Sequence, residues 1–294
     1  MKIKTIFKTF RPSFLILTPV CILLGISTSL ASQSSINISL LILILIGAIC
    51  AHISVNTLNE YYDFKSGLDL KTNKTPFSGG SGALPDNPEL AGTILTVGRV
   101  SLTITVLIGI YVLMVKGIQI MPIGILGVVV ILTYTQWLNR FPLLCLLAPG
   151  LGFGTLMVVG THVILAGEYS QLAWLVSLIP FFLVNNLLLL NQYPDMGADE
   201  SIGRKTFPIA FGLNKSNVTY AVFMLAAFSV IVGLIVYGTL SYLSFIALIP
   251  MAFSLFALYG AIKYSARIGE FPQFLAANVA ATILTPLLLA ISML

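Results

Sequence analysis

The chain has 294 residues, 57% of them hydrophobic and only 9% charged, with a formal net charge of +5. Soluble domains carry roughly 25% charged residues. The composition therefore excludes an ordinary soluble enzyme and leaves an all-α, polytopic membrane protein.

The basic start, "MKIKTIFKTFRPSFLIL", looks like a signal peptide, but the apolar stretch after it runs to about 19 residues, beyond the usual h-region. It reads as a first membrane helix. No charged side chain occurs from Pro12 to Asn59, enough for two spans broken near "ASQSS". A third span covers 100–115 with the residues just before Arg99. Segments 117–139, 141–167 and 169–194 hold one span each. Residues 216–262 hold two, broken near "YGTLSY", and 271–294 hold the last. At about 20 apolar residues per crossing, this predicts nine transmembrane helices in a single bundle, one domain over 1–294. Continuous apolar runs disfavour a barrel.

With the N-terminus in the cytoplasm, fourteen of the fifteen Lys and Arg residues fall inside and Lys116 alone outside. Such asymmetry sets orientation in the cell (inner) membrane. The positive charge is thus a topology signal, and no nucleic-acid partner is expected. Cys21, Cys50 and Cys145 fit no metal or disulfide spacing. His52 and His162 read as packing residues, although His52 shares a helix face with Asn59.

Charge returns in "NTLNEYYDFKSGLD", residues 56–69, at the end of the second apolar run. A partner stretch, "NQYPDMGADESIGRKT", opens at 191 after the sixth. Asn59 and Asp63 match Asn191 and Asp195 in spacing, and each pair is followed by another acid, Asp69 or Asp199. Four helices separate the copies, so both emerge on one side. The i,i+4 spacing puts Asn59 and Asp63 on one helix face, and Asp195 and Asp199 likewise if the helix continues past Pro194. Gly67 and Gly197 suggest that each helix loosens just beyond.

Facing carboxylates near low dielectric repel one another, and a divalent cation relieves that cost. Mg²⁺ is usually held by one or two carboxylates plus substrate phosphates, so two clusters suggest two Mg²⁺ ions bridging a diphosphate. Lys71 and Lys74 follow the first cluster, and Arg204 and Lys205 the second. The loop "FSGGSGALP" at 77–85 offers backbone N–H groups to phosphate oxygens, although a flexible linker has the same composition. Asp86, Glu89 and Glu200 read as solvated loop charges. Glu60 points along a different face from Asn59 and Asp63 and reads as a peripheral acid.

These two motifs resemble those of the UbiA superfamily of intramembrane prenyltransferases: Asn59/Asp63 with Asp69 after helix 2, and Asp195/Asp199 after helix 6. "GADESIGRKTFPIAFG" is similar to the family's stretch after the second motif. Asn56 to Asp69 looks most like the menaquinone-type branch, which prenylates 1,4-dihydroxy-2-naphthoate, as do Tyr134-Thr135 and "GLGFGTLMVVGTHVILAG". Two positions depart from that branch: Phe153 stands where it has an acid, and Glu60 where it has Asp. The first leaves other aromatic acceptors open, including 4-hydroxybenzoate.

The resemblance implies that a polyprenyl diphosphate lays its tail among the helices. Its diphosphate meets Mg²⁺ held by Asn59, Asp63, Asp195 and Asp199, with Asp69 close by. It also implies Arg11, Lys71, Lys74, Arg140, Arg204 and Lys205 as diphosphate contacts, and Tyr62, Tyr134 and Tyr193 as aromatic faces for the allylic cation. A transporter is the rival from another class, but surface acids in a parallel repeat do not match the mid-bilayer sites of inverted-repeat transporters. A CDP-alcohol phosphotransferase is disfavoured because no D-G-x-x-A-R string occurs.

Overall fold

The computed structural model describes residues 2–32, 34–72 and 74–294, and the regular structure among them is helical. Eight helices are long and apolar enough to cross a membrane: α1 (Pro12–Ala31), α2 (Ile38–Lys65), α3 (Pro88–Lys116), α5 (Pro142–Ala166), α6 (Gln171–Asn191), α7 (Leu213–Val236), α8 (Tyr242–Glu270) and α9 (Pro272–Met293). A shorter apolar helix, α4 (Ile118–Thr133), completes the nine expected. The first break, near "ASQSS", falls between α1 and α2, with Gln33 outside the described residues.

The starts follow from local chemistry. Pro12, Pro88, Pro142 and Pro272 open α1, α3, α5 and α9, where the missing N–H costs nothing and φ is already helical. Asn37 caps α2, its side chain accepting from Leu40 N at 3.0 Å. Inside α5, Pro149 removes a donor and the next turn, Leu151–Leu156, widens to π geometry.

Two boundaries differ from the sequence expectation. α3 begins at Pro88, so Arg99 lies well inside the helix, exposed on its surface, and not in a loop. The long arginine stem lets its guanidinium reach toward the interface. Helix α6 ends at Asn191, a turn carries Gln192–Asp195, and a short helix Met196–Ser201 follows. The chain loosens before Asp195, because Pro194 cannot donate to the helical ladder; Gly197 lies within the short helix.

The tight half of the bundle is α1 with α5 to α9. Leu24, Val158, Ile179, Leu183, Ile231 and Leu275 fill it with almost no exposure. Hydrogen bonds between helices add to the packing: Asn186 Nδ2 donates to Tyr220 O at 2.9 Å, Tyr220 Oη to Asn278 Oδ1 at 2.8 Å, and Asn278 Nδ2 to Asn186 O at 3.1 Å. That ring ties α6, α7 and α9 where no water can substitute. On the other side, α2 and α3 pair through Ser54 Oγ to Gly98 O at 2.9 Å and Thr105 Oγ1 to Gly47 O at 3.0 Å. No residue of Met121–Thr133 in α4 is buried. The space between this looser wall and α1, α5 and α6 is left unfilled.

Candidate active site

That space is a cavity of about 690 Å³. Its α2 wall runs from Leu43 to Asp63, which at 1.5 Å per residue is about 30 Å, close to the thickness of a hydrocarbon core. Most of the wall is aliphatic: Ile44, Ile108, Leu113, Ile120, Val128 and Leu156 are among the residues that form it. One end is polar, and there Arg11, Asn59, Asp63, Asp69, Asn191, Asp195, Asp199 and Arg204 converge.

Each arrives by a separate route. Asn59 and Asp63 ride on the last turns of α2. Gly67, at φ 77°, turns the chain so that Leu68–Leu70 brings Asp69 back to the same chamber. Asp195 N donates to Gln192 O at 3.3 Å, and Asp199 N to Asp195 O at 2.9 Å, so the second pair keeps its i,i+4 relation across the break after α6. Arg11 sits between the N-terminal helix Lys2–Thr9 and α1 with φ 51°, an unusual backbone for a non-glycine residue. That turn swings its guanidinium inward, where Nη2 donates to Asn59 Oδ1 at 3.3 Å.

Arg204 joins the two acid clusters. Its Nη2 pairs with Asp63 Oδ1, and its Nη1 donates to Asp199 Oδ1 at 2.9 Å. Burial alone would lower its pKa, but the carboxylates of Asp63 and Asp199 outweigh that and raise it. The remaining acceptors are not matched. Asp69 Oδ2, Asp195 Oδ1, Asn191 Oδ1 and Gln192 Oε1 are buried with no donor. Burial, then the charges of Glu60 and Asp63, push Asp69 up to about 8. Burial and Asp199 push Asp195 up to about 7. Asp199 is raised too, chiefly by burial, with Arg204 opposing.

A buried acceptor without a donor costs about 1–3 kcal/mol, so these orphaned oxygens at the polar end are positions that a cation fits. Among the described residues no group of three or more His, Cys, Asp or Glu side chains could hold a metal ion by itself. An ion held here would therefore need waters or substrate oxygens to complete its shell.

A strap of glycine and serine covers the polar end. Ser78, Gly79 and Gly80 line the cavity, and Gly79 N donates to Asp195 Oδ2 at 3.1 Å. Gly79, Gly80 and Gly82 have φ of 77°, 73° and 69°, a region that side chains disfavour. A Cβ on Gly80 would stand 2.9 Å from Asp69 Oδ1. The stretch is thus a shaped cover and not a free linker.

The profile of the UbiA prenyltransferase family matches residues 18–278. The chain belongs to the UbiA prenyltransferase family. It is 29% identical over 238 residues to a 1,4-dihydroxy-2-naphthoate octaprenyltransferase of Bacillus subtilis (strain 168), covering 79% of this chain and 73% of that protein. A protein of the same description from Haemophilus influenzae (strain ATCC 51907 / DSM 11121 / KW20 / Rd) is 26% identical, covering 77% of this chain and 75% of the relative. Among solved structures, an apo UbiA homolog from Aeropyrum pernix K1 superimposes with a TM-score of 0.74 at 16% identity, covering 95% of this chain and 98% of that one. A UbiA homolog from Archaeoglobus fulgidus bound to DMAPP and Mg²⁺ gives 0.63 at 13% identity, covering 95% and 97%.

Not every expected site residue reaches the chamber of this UbiA protein. Asn59, Asp63, Asp69, Asp195, Asp199, Arg11, Tyr134 and Arg204 line it. Lys71, Lys74, Arg140 and Lys205 do not; all four are exposed. Lys71 Nζ donates to Ser201 Oγ at 3.4 Å, Lys74 Nζ bonds Ser81 O, and Arg140 lines a smaller side pocket with Tyr62, Lys65 and Gln136. Thr72, Asn139, Arg204 and Thr206, chain neighbours of Lys71, Arg140 and Lys205, line the chamber, while these basic side chains face out.

Tyr193 is fully buried in the core and donates to Asn217 Oδ1 at 2.9 Å, so it offers no face to the cavity. Glu60 does point away from the chamber, but it is not peripheral: it has no exposed surface and accepts from Ser81. Spacing along α2 gives its face but not the loop that folds back onto that face. His52 lines the cavity, its Nδ1 2.8 Å from Thr18 Oγ1 and its ring edge-on to Phe153 at 4.5 Å.

Proposed function

We propose that the protein transfers a polyprenyl group from a polyprenyl diphosphate to 1,4-dihydroxy-2-naphthoate in menaquinone biosynthesis. The observation that carries this reading is the junction of a membrane-deep apolar cavity with a cluster of buried, under-coordinated carboxylates. The names of its curated relatives support the acceptor. The solved UbiA homologs that hold DMAPP or GPP with Mg²⁺ support the donor and the metal.

Asn59, Asp63, Asp195 and Asp199, with Asp69 beside them, would hold two Mg²⁺ ions against the diphosphate. An ion bound there would supply neutralisation of the charge that builds on the departing diphosphate as the allylic C–O bond breaks. Arg204 already lies between the two acid clusters and Arg11 beside Asn59, so both guanidinium groups are in place for phosphate oxygens. The exposed Lys71, Lys74, Arg140 and Lys205 act earlier, raising the local concentration of anionic substrates. The aliphatic wall below excludes water from the allylic carbon, and the Tyr134 ring in that wall offers its face to developing positive charge. The acceptor's ring carbon then forms the new bond, diphosphate leaves with the electron pair, and the ring loses a proton or its carboxyl group. The charge asymmetry of the loops favours a cytoplasmic position for the site. There a water-soluble acceptor and a lipid donor can meet.

The test is direct. Purified protein with Mg²⁺ and labelled octaprenyl diphosphate is offered 1,4-dihydroxy-2-naphthoate or 4-hydroxybenzoate. A prenylated naphthoquinol precursor is the expected product. Product from 4-hydroxybenzoate alone overturns the acceptor assignment, as does the absence of product from either acceptor.

A further inference from the structure

Among the described residues, Glu60 is the one wholly buried acid beside the site that lines no part of the cavity. Its carboxylate accepts from Ser81 N at 3.1 and 3.3 Å and from Ser81 Oγ. Arg11 Nη2 lies 3.7 Å from its Oε2 while bonded to Asn59 Oδ1. Ser81 Oγ also accepts from Ala83 N at 3.0 Å. Ser81 thus stands between Gly80 and Gly82 as the residue through which the strap 77–82 is anchored to α2.

We propose that Glu60 is a positioning residue: it pins the strap in the place from which Gly79 and Gly80 close the diphosphate end of the cavity. Three residues with positive φ give this segment little preference for one conformation. A buried carboxylate that takes both donors of Ser81 supplies that preference, and hydrogen bonds to charged groups are stronger than neutral ones. The pin sits on the residue after Asn59, so strap and ligand share one helix turn. Movement at Ser81 is then passed to Gly79 N at Asp195 and to Gly80 beside Asp69. Glu60 itself touches neither cavity nor substrate, so its contribution is to donor binding and not to the bond-breaking step. This rests on the reading of the polar end as the diphosphate site.

The experiment uses the full chain in detergent with Glu60→Gln, Glu60→Asp and Ser81→Ala. The first readout needs no substrate or metal: the rate of trypsin cleavage after Lys71 and Lys74, which lie just before the strap, Lys74 with its Nζ bonded to Ser81 O. Loss of a charged, buried hydrogen bond predicts cleavage of Glu60→Gln about tenfold faster than wild type, with the melting temperature lowered by only a few degrees. Glu60→Asp, which keeps the charge, should fall between. The second readout is kinetic. KM for the prenyl diphosphate should rise about tenfold in Glu60→Gln while KM for the acceptor stays the same, and adding Ser81→Ala should change little more. Unchanged cleavage overturns the pin, as does a lost kcat with an unchanged KM. If Glu60→Gln does not fold, Ser81→Ala alone must speed cleavage, or the proposal fails. Should wild type make no prenylated product while Glu60→Gln still frees the strap, the transfer reading falls and the pin stands.

Discussion

Asp69 Oδ2 and Asp195 Oδ1, two buried oxygens without donors, make the ligand-free site sensitive to pH. Both acids have folded pKa values, about 8 and about 7, above the ordinary carboxylate value of 3.8. Between pH 4 and 8 the folded state therefore binds more protons than the unfolded one, and stability falls as pH rises. Metal-free protein is expected to melt at a lower temperature at pH 8 than at pH 5. Added Mg²⁺ should recover more at pH 8 than at pH 6, because the ion competes with those protons. A flat thermal profile with pH counts against the buried cluster. Asp63→Asn and Asp195→Asn should each lower turnover by about 10²-fold or more, with Mg²⁺ stabilisation lost in a thermal shift. Asn59 and Asp63 were legible in the sequence because helix periodicity says which residues share a face, and the second cluster because it repeats their spacing at Asn191 and Asp195. Glu60 was not, because its partner Ser81 arrives from a loop whose path no spacing rule describes.

At the level of elements, the nine helices were legible for a simple reason: a bilayer demands about 20 apolar residues each time the chain crosses. The break at "YGTLSY" marked an end that the structure keeps. Less legible was how the helices hold together. Asn186, Tyr220 and Asn278 lie far apart in the sequence and share no motif, yet they form a ring across α6, α7 and α9. Tyr220→Phe removes the Oη that joins α7 to α9 and leaves Asn278 Oδ1 without that donor. Interhelical hydrogen bonds of this kind contribute about 0.6 kcal/mol, up to about 1.7. Denaturant unfolding of Tyr220→Phe in mixed micelles should show a loss in that range. Its prenyl transfer at low denaturant should match wild type, since the ring lies away from the cavity. A large loss of turnover with no loss of stability would contradict a purely structural role.

For the molecule as a whole, the uneven packing of the bundle sets what it accepts. The half built from α1 and α5 to α9 is filled, whereas α2 to α4 stand off and leave a channel about as long as the membrane is thick. The loosest element, α4, contributes Gly124 to the cavity wall near its far end, and a Cβ there meets nothing within 4 Å. A bulky side chain at this position projects into open space, so the fold should tolerate it while the channel shortens. A long prenyl tail must reach that depth; a two-isoprene tail, held by the same diphosphate contacts, need not. Gly124→Phe is therefore expected to raise KM for octaprenyl diphosphate by about tenfold, the effect of overpacking by roughly 1–3 kcal/mol. Geranyl diphosphate should be used as before. Parallel assays with the two donors decide the matter: equal losses would mean that the tail leaves the cavity before it reaches α4, between helices nearer the acid clusters.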